Sequence, residues 1–219
     1  MHLMGRFLNL AAFAGRLRDD TRAVSFVEFA LILPIIITLG FYGAELAFMA
    51  TVNMQIGQLA SSVADNASRL GQTDNSAVTP TISETLVDSV MTGALVEGAG
   101  IKFESSGRII LSSLELDDST GRQYIHWQRC RGNLKVVSKY GAAGAGLTGT
   151  KLNGMGNPAI TANSKSAVMF VEVYYTYQPL FGTMFVGKPN FRREAAFIIR
   201  DDRNLGPGVT GGNGKSLCT

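Results

Sequence analysis

Between Arg22 and Arg69 the chain contains no lysine or arginine, and the first part of that gap, Val24 to Ala50, is almost wholly apolar. Phe26, Val27, Phe29 to Leu33, Ile35 to Ile37, Leu39, Phe41, Leu46 and Phe48 fill it, with Glu28 and Glu45 near its two ends. A helix of about 20 apolar residues rising 1.5 Å each spans the roughly 30 Å hydrocarbon core of a bilayer. The run therefore reads as one transmembrane helix over 24–50. A core helix of a soluble protein is the competing reading, but such helices rarely stay apolar on every side for this length.

The flanks set an orientation. Arg6, Arg16, Arg18 and Arg22 precede the run, and the next basic residue is Arg69. Positive-inside bias puts residues 1–23 in the cytoplasm as a leader and 51–219 on the outer side. A cleaved secretory signal would need an apolar region of about 7–15 residues and a small-residue cleavage site, and the run is longer than that. Within it, a carboxylate in hydrocarbon costs roughly 2.5–3.5 kcal/mol on insertion scales, which makes Glu28 a candidate functional residue unless it reaches the interface. Pro34 removes a backbone donor and is expected to kink the helix.

Beyond the bilayer, Met49, Val52, Ile56, Leu59, Val63, Ala67 and Leu70 recur at steps of three and four. This stripe predicts that the helix continues to Leu70, about 70 Å from Val24, where Gly71 stops it. Thr81-Ile82-Ser83-Glu84 has capping-box spacing before a second helix through Leu86, Val90 and Ala94. After Gly98 the texture turns to strands: 108–116 and 121–130 around an Asp117-Asp118-Ser119-Thr120 turn, then 167–178 ended by Pro179, and 191–200. The expectation is an α+β fold, a long helix packed on an antiparallel sheet.

The rest of the chain excludes more than it suggests. Charged residues are 17% and the net charge is +3, which argues neither for disorder nor for a nucleic-acid partner. Asp117 and Asp118 lack the further oxygen ligands a calcium loop needs. Gly144-Ala145-Gly146-Leu147-Thr148-Gly149 matches a dinucleotide pattern but has no helix to follow it, so 141–158 is expected to be a flexible loop and no cofactor is implied. The Gly-rich tail, 204–219, also lacks the spacing of a phosphate loop. Arg192-Arg193 and Arg129 to Arg131 read as solvated strand edges. His126 and Trp127 read as sheet residues. Cys130 and Cys218 both lie on the expected outer side, where an oxidising compartment favours a disulfide; two free thiols or an intermolecular bond stay open.

Arg22-Ala23-Val24-Ser25-Phe26-Val27-Glu28-Phe29-Ala30-Leu31-Ile32-Leu33-Pro34, with Glu45 about one span later, resembles the opening of TadE-like proteins, the minor pseudopilins of tight adherence (Tad/Flp) pilus systems. The end is also similar: Val171 to Leu180, then Ala195 to Arg200. Ala23 stands where that family more often has Gly, and Leu46-Ala47 follow Glu45 in place of the usual Gly-Arg. The resemblance implies a pilin-like fold and a bacterial inner-membrane location, with a periplasmic domain. It also implies cleavage by a prepilin peptidase between Ala23 and Val24, so that Glu28 becomes the fifth mature residue. Other minor pilins and the pilus assembly platform would be its partners. A membrane-anchored periplasmic enzyme, such as a Ser-based hydrolase using His126, is the alternative of a different class. A pilus-tip adhesin is a third.

Overall fold

The computed structural model describes residues 22–71, 79–200 and 202–218. Helix α1 runs from Arg22 to Ser68. The chain divides into two compact units, one ending at Ala47 and the other beginning at Phe48, so α1 contributes its two parts to different units. The leader expected over 1–23 lies, apart from Arg22 and Ala23, outside the described residues.

In the first unit α1 carries its apolar side chains outward, with Phe26 73%, Leu31 69% and Leu39 64% exposed. Pro34 sits inside the helix without breaking it. Its ring leaves one backbone carbonyl without an N–H partner. The Thr38 hydroxyl donates to the Pro34 carbonyl at 2.7 Å, a local bond of the kind that bends helices.

In the second unit the stripe is a packing surface. Val52, Ile56, Leu59, Val63 and Ala67 are all buried, together with Ala60 and Ala64. They join one core cluster with Ile109, Leu111, Met169, Val171 and Val173 of the sheet, while Met49 and Leu70 pack at its margin. The helix ends two residues before Leu70, and Gly71 takes φ +86°, which favours glycine. Strand β1 (Ile82–Ser83) leads into helix α2 (Glu84–Glu97), whose cap is Ser83 rather than Thr81: the Ser83 hydroxyl accepts from the Leu86 amide. Glu84 is therefore not the carboxylate of a capping box; it pairs with Arg129. A short 3-10 turn (Gly98–Ile101) and helix α3 (Phe103–Ser106) follow. The Phe103 side chain is clamped between Gly98 and Gly107, where a Cβ would stand 2.6 Å from its Cβ and 2.5 Å from its ring. Only glycine fits at either place.

Four strands form the main sheet: β2 (Gly107–Asp117), β3 (Arg122–Arg131), β4 (Ala167–Thr176) and β5 (Asn190–Ile198). Their spatial order is β3-β2-β4-β5, with every neighbouring pair antiparallel. Asp117 closes the β2–β3 turn by accepting from the Ser119 amide and from the Ser119 and Thr120 hydroxyls, the local bonding that makes Asp a turn residue. The result is the α+β arrangement expected of the sequence, a long helix against an antiparallel sheet.

The other face of the sheet is covered by the segment between β3 and β4. Leu114, Ile125, Val168 and Phe170 meet Met155 and Ala162 in a second cluster, with Tyr140, Ala145 and Leu152 at its rim. The span expected to be a flexible loop, 141–158, is laid on the sheet instead. Arg122 donates to the Gly146 carbonyl at 2.8 Å, and Gln123 and Leu152 form a bridge. The Gln123 amide holds both the N–H and the carbonyl of Ala162, at 2.7 and 2.9 Å. The tail is likewise structured: β6 (Val209–Thr210) pairs parallel with β1.

Candidate functional site

The residues singled out in the membrane-type segment share helix α1 and differ in surroundings. Arg22 and Ala23 open the helix, so the expected cleavage point before Val24 falls in its first turn. Glu28 is exposed, whereas Glu45 has 0% exposure. Glu45 stands seventeen positions after Glu28 (45 − 28), about 25 Å of rise at 1.5 Å per residue, close to the thickness of the hydrocarbon layer. The helix is long and apolar enough to cross a membrane.

Away from that segment, the second unit buries two polar clusters that face opposite requirements. On the loop-covered face, Glu172 has 0% exposure and stands directly across from Glu194, carboxylate beside carboxylate. Like charges in that position repel. Arg192 lies between them, donating to Glu172 at 3.0 Å and contacting Glu194 closely. Glu172 also accepts from the Tyr174 hydroxyl at 2.8 Å, the Lys139 amide at 3.1 Å and the Ser138 hydroxyl. Tyr140 donates to Glu194 at 2.8 Å and accepts from the Gly156 amide at 2.9 Å, and the Arg192 guanidinium lies 5.6 Å from the Tyr140 and Tyr174 ring centres. Burial, with the adjoining Glu172 carboxylate, pushes the Tyr174 hydroxyl up to about 12, so it remains a donor. Burial alone would lower the Arg192 pKa, but its hydrogen bonds to tyrosine and glutamate oxygens outweigh that and raise it. Arg192 is thus no solvated edge residue. The network's chemistry is anchoring: it fastens 138–140 and 156 to β4 and β5. Sequence reasoning passed over it, although a glutamate inside the apolar Val171-Glu172-Val173 run signals a buried charge that needs a partner.

The second cluster surrounds Glu115, which is 4% exposed. His126 Nδ1 lies 2.9 Å from it, the Ser113 hydroxyl donates at 2.7 Å and the Tyr124 hydroxyl at 3.3 Å. The Glu115 hydrogen bond raises the His126 pKa, opposed by burial and helped by the carboxylate's charge. Among the described residues no hydrogen bond joins His126 to a serine. Trp127, 6% exposed, joins the main core.

Cys130 and Cys218 are joined, with their Cα atoms 4.8 Å apart. The bridge fastens the C-terminal segment to β3, and further bonds hold it along its length. Arg203 donates to the Ser68 carbonyl at 2.7 Å, and the Asn204 amide to the Pro80 carbonyl at 3.0 Å. Ser216, fully buried, donates its hydroxyl to Asp88 at 2.6 Å and accepts from the Cys130 amide at 2.7 Å. Arg129 donates to Glu84 at 2.9 Å, so it too is paired rather than solvated.

No family model, no curated protein and no solved structure matches the chain.

Proposed function

We propose that this protein is a single-pass minor pseudopilin of the TadE-like kind, acting without catalysis in the assembly or initiation of a bacterial Tad/Flp adhesion pilus. The observation that carries the reading is the Ala23-Val24 to Glu28 to Pro34 motif sitting at the start of a long, outward-apolar helix whose second half packs on an antiparallel sheet. The arginines before the helix support a cytoplasmic start and a second unit on the outer side of the membrane, by positive-inside bias.

Cleavage between Ala23 and Val24 by a prepilin peptidase frees the Val24 amine. In lipid, that amine pairs with the Glu28 carboxylate of a neighbouring subunit, which offsets the cost of burying either charge and fixes the subunits' register. The outer domain then meets sister minor pilins, and the assembly platform acts on the membrane segment. Mass spectrometry of the N-terminus from cells containing the peptidase tests the scheme. A mature chain beginning at Val24 is expected, and Glu28→Gln should abolish fibre assembly. A chain still beginning at Met1 in cells that make normal fibres refutes the processing mechanism.

A further inference from the structure

The two edges of the four-stranded sheet differ. The β3 edge is covered: the Ile125 amide donates to Ala145 at 2.9 Å, its carbonyl accepts from Gly144 at 2.7 Å, and Ser216 accepts from Cys130 at 2.7 Å. The outer edge of β5 has no backbone partner among the described residues. An antiparallel strand points alternate residues inward and outward, so this edge offers about four N–H and about four C=O groups. Of the usual blunting devices, proline, a bulge and a short strand are missing, which leaves the charges of the Arg192-Arg193-Glu194 run. β5 contains no proline, keeps unbroken register with β4 from Asn190 to Ile198, and exceeds the common strand length of about 5–6 residues.

Two further features sit beside that edge. A cleft of about 390 Å³ opens next to it, walled by Pro158, Ile160, Phe170 and Ala196, with Arg193 and Glu194 on its lining. The Arg193 side chain stands exposed on the opposite face of β5, that of Val173 and Ala195, and makes no hydrogen bond or ion pair among the described residues. A lone arginine could serve only to discourage edge pairing. That role does not account for a half-apolar cleft on the other face of the strand, beside Glu194 and Ala196.

We infer that the outer edge of β5 is a strand-docking site for an extended segment of a different protein, one with a medium-sized apolar side chain for the Ile160–Phe170 cleft and an acidic side chain for Arg193. In such docking, main-chain bonds supply affinity and pockets for alternate side chains supply specificity. A second copy fits poorly. A two-fold normal to the sheet pairs residues of the same face, and β5 offers Arg193 only Phe191, Arg193, Ala195 and Phe197 of its copy, none of them acidic. The inference rests on strand order, cleft and charge and is independent of the pilus reading, so either can fail alone.

The test uses the full chain in detergent micelles and blocked, fluorescent nonapeptides of alternating Thr and Val carrying one Leu and one Glu. Binding is read by anisotropy, and hydrogen exchange locates it. The peptide should protect amides within 190–198, and N-methylation at its alternate bonding positions should weaken it about tenfold or more. Changing its Glu to Lys should weaken it as well, and Arg193→Glu, an exposed substitution, should reverse that preference. Any of three results overturns the inference: no peptide bound, equal binding of the N-methylated peptide, or protection of 190–198 by self-association in the peptide's absence.

Discussion

Removing Arg192 exposes how strongly the second unit depends on one partly buried cation. In Arg192→Met the side chain keeps its apolar stem but no longer separates Glu172 from Glu194. The lost attraction is about 5.5 kcal/mol in gross Coulomb terms for charges 3.0 Å apart at an effective dielectric of about 20. Two features reduce the net figure. The Arg192 side chain is 27% exposed, and Glu172 keeps its bonds from Tyr174, Lys139 and Ser138. The expected loss is about 3 kcal/mol, the lower end of what breaking a buried pair costs. Adding Glu172→Gln should return the protein to within about 1 kcal/mol of wild type, because the stranded charge is gone. Urea titration of the full chain in detergent, followed by the fluorescence of Trp127, the chain's single tryptophan, measures both. A loss under about 1 kcal/mol for the single variant, or a double variant worse than the single, refutes the reasoning.

Two other outcomes are expected. Cys218→Ser should lower stability by about 2–4 kcal/mol, below the roughly 4.6 kcal/mol that chain entropy assigns to a bridge with a sequence separation of 88. Non-reducing gel mobility should shift only in wild type on reduction, and thiols that react with maleimide before reduction would contradict the bridge. His126 has a folded-state pKa raised above its ordinary 6.5 by the Glu115 hydrogen bond. Its stabilisation is therefore complete below pH 6.5 and disappears as pH climbs through the raised value. His126→Gln should remove that part of the pH dependence; a variant profile parallel to wild type rejects it.

What the sequence revealed followed from how local each signal is. The long helix was plain because an apolar run and a three-and-four stripe are both read within a single element. The β2–β3 hairpin was plain because its turn residues bond one another. The pairing of β4 with β2 was not, since 35 residues lie between Arg131 and Ala167 (167 − 131 − 1) and nothing within either strand names its neighbour. The same distance effect hid the partners of Glu84 and Arg192. Glu84 looked like a cap because Thr81 stands three residues before it, yet its carboxylate lies against Arg129, 45 positions away. The segment 141–158 looked loose because glycines punctuate it. The apolar residues it lays on the sheet, Ala145, Leu152 and Met155, have neither helical nor strand period, although together they roof the sheet.

That roof gives the molecule a place to vary. Gly146 and Met155 are both buried, a Cβ at Gly146 would meet the Gln123 carbonyl at 2.3 Å, and between them Arg122 holds the Gly149 carbonyl and Leu152 bridges to Gln123. Residues 147–151 between them are exposed throughout. Lengthening a tethered loop costs only about 0.6 kcal/mol per doubling. A tag, a fluorophore or a grafted recognition sequence could therefore be carried there, far along the chain from the helix and on the face of the sheet that the helix does not touch.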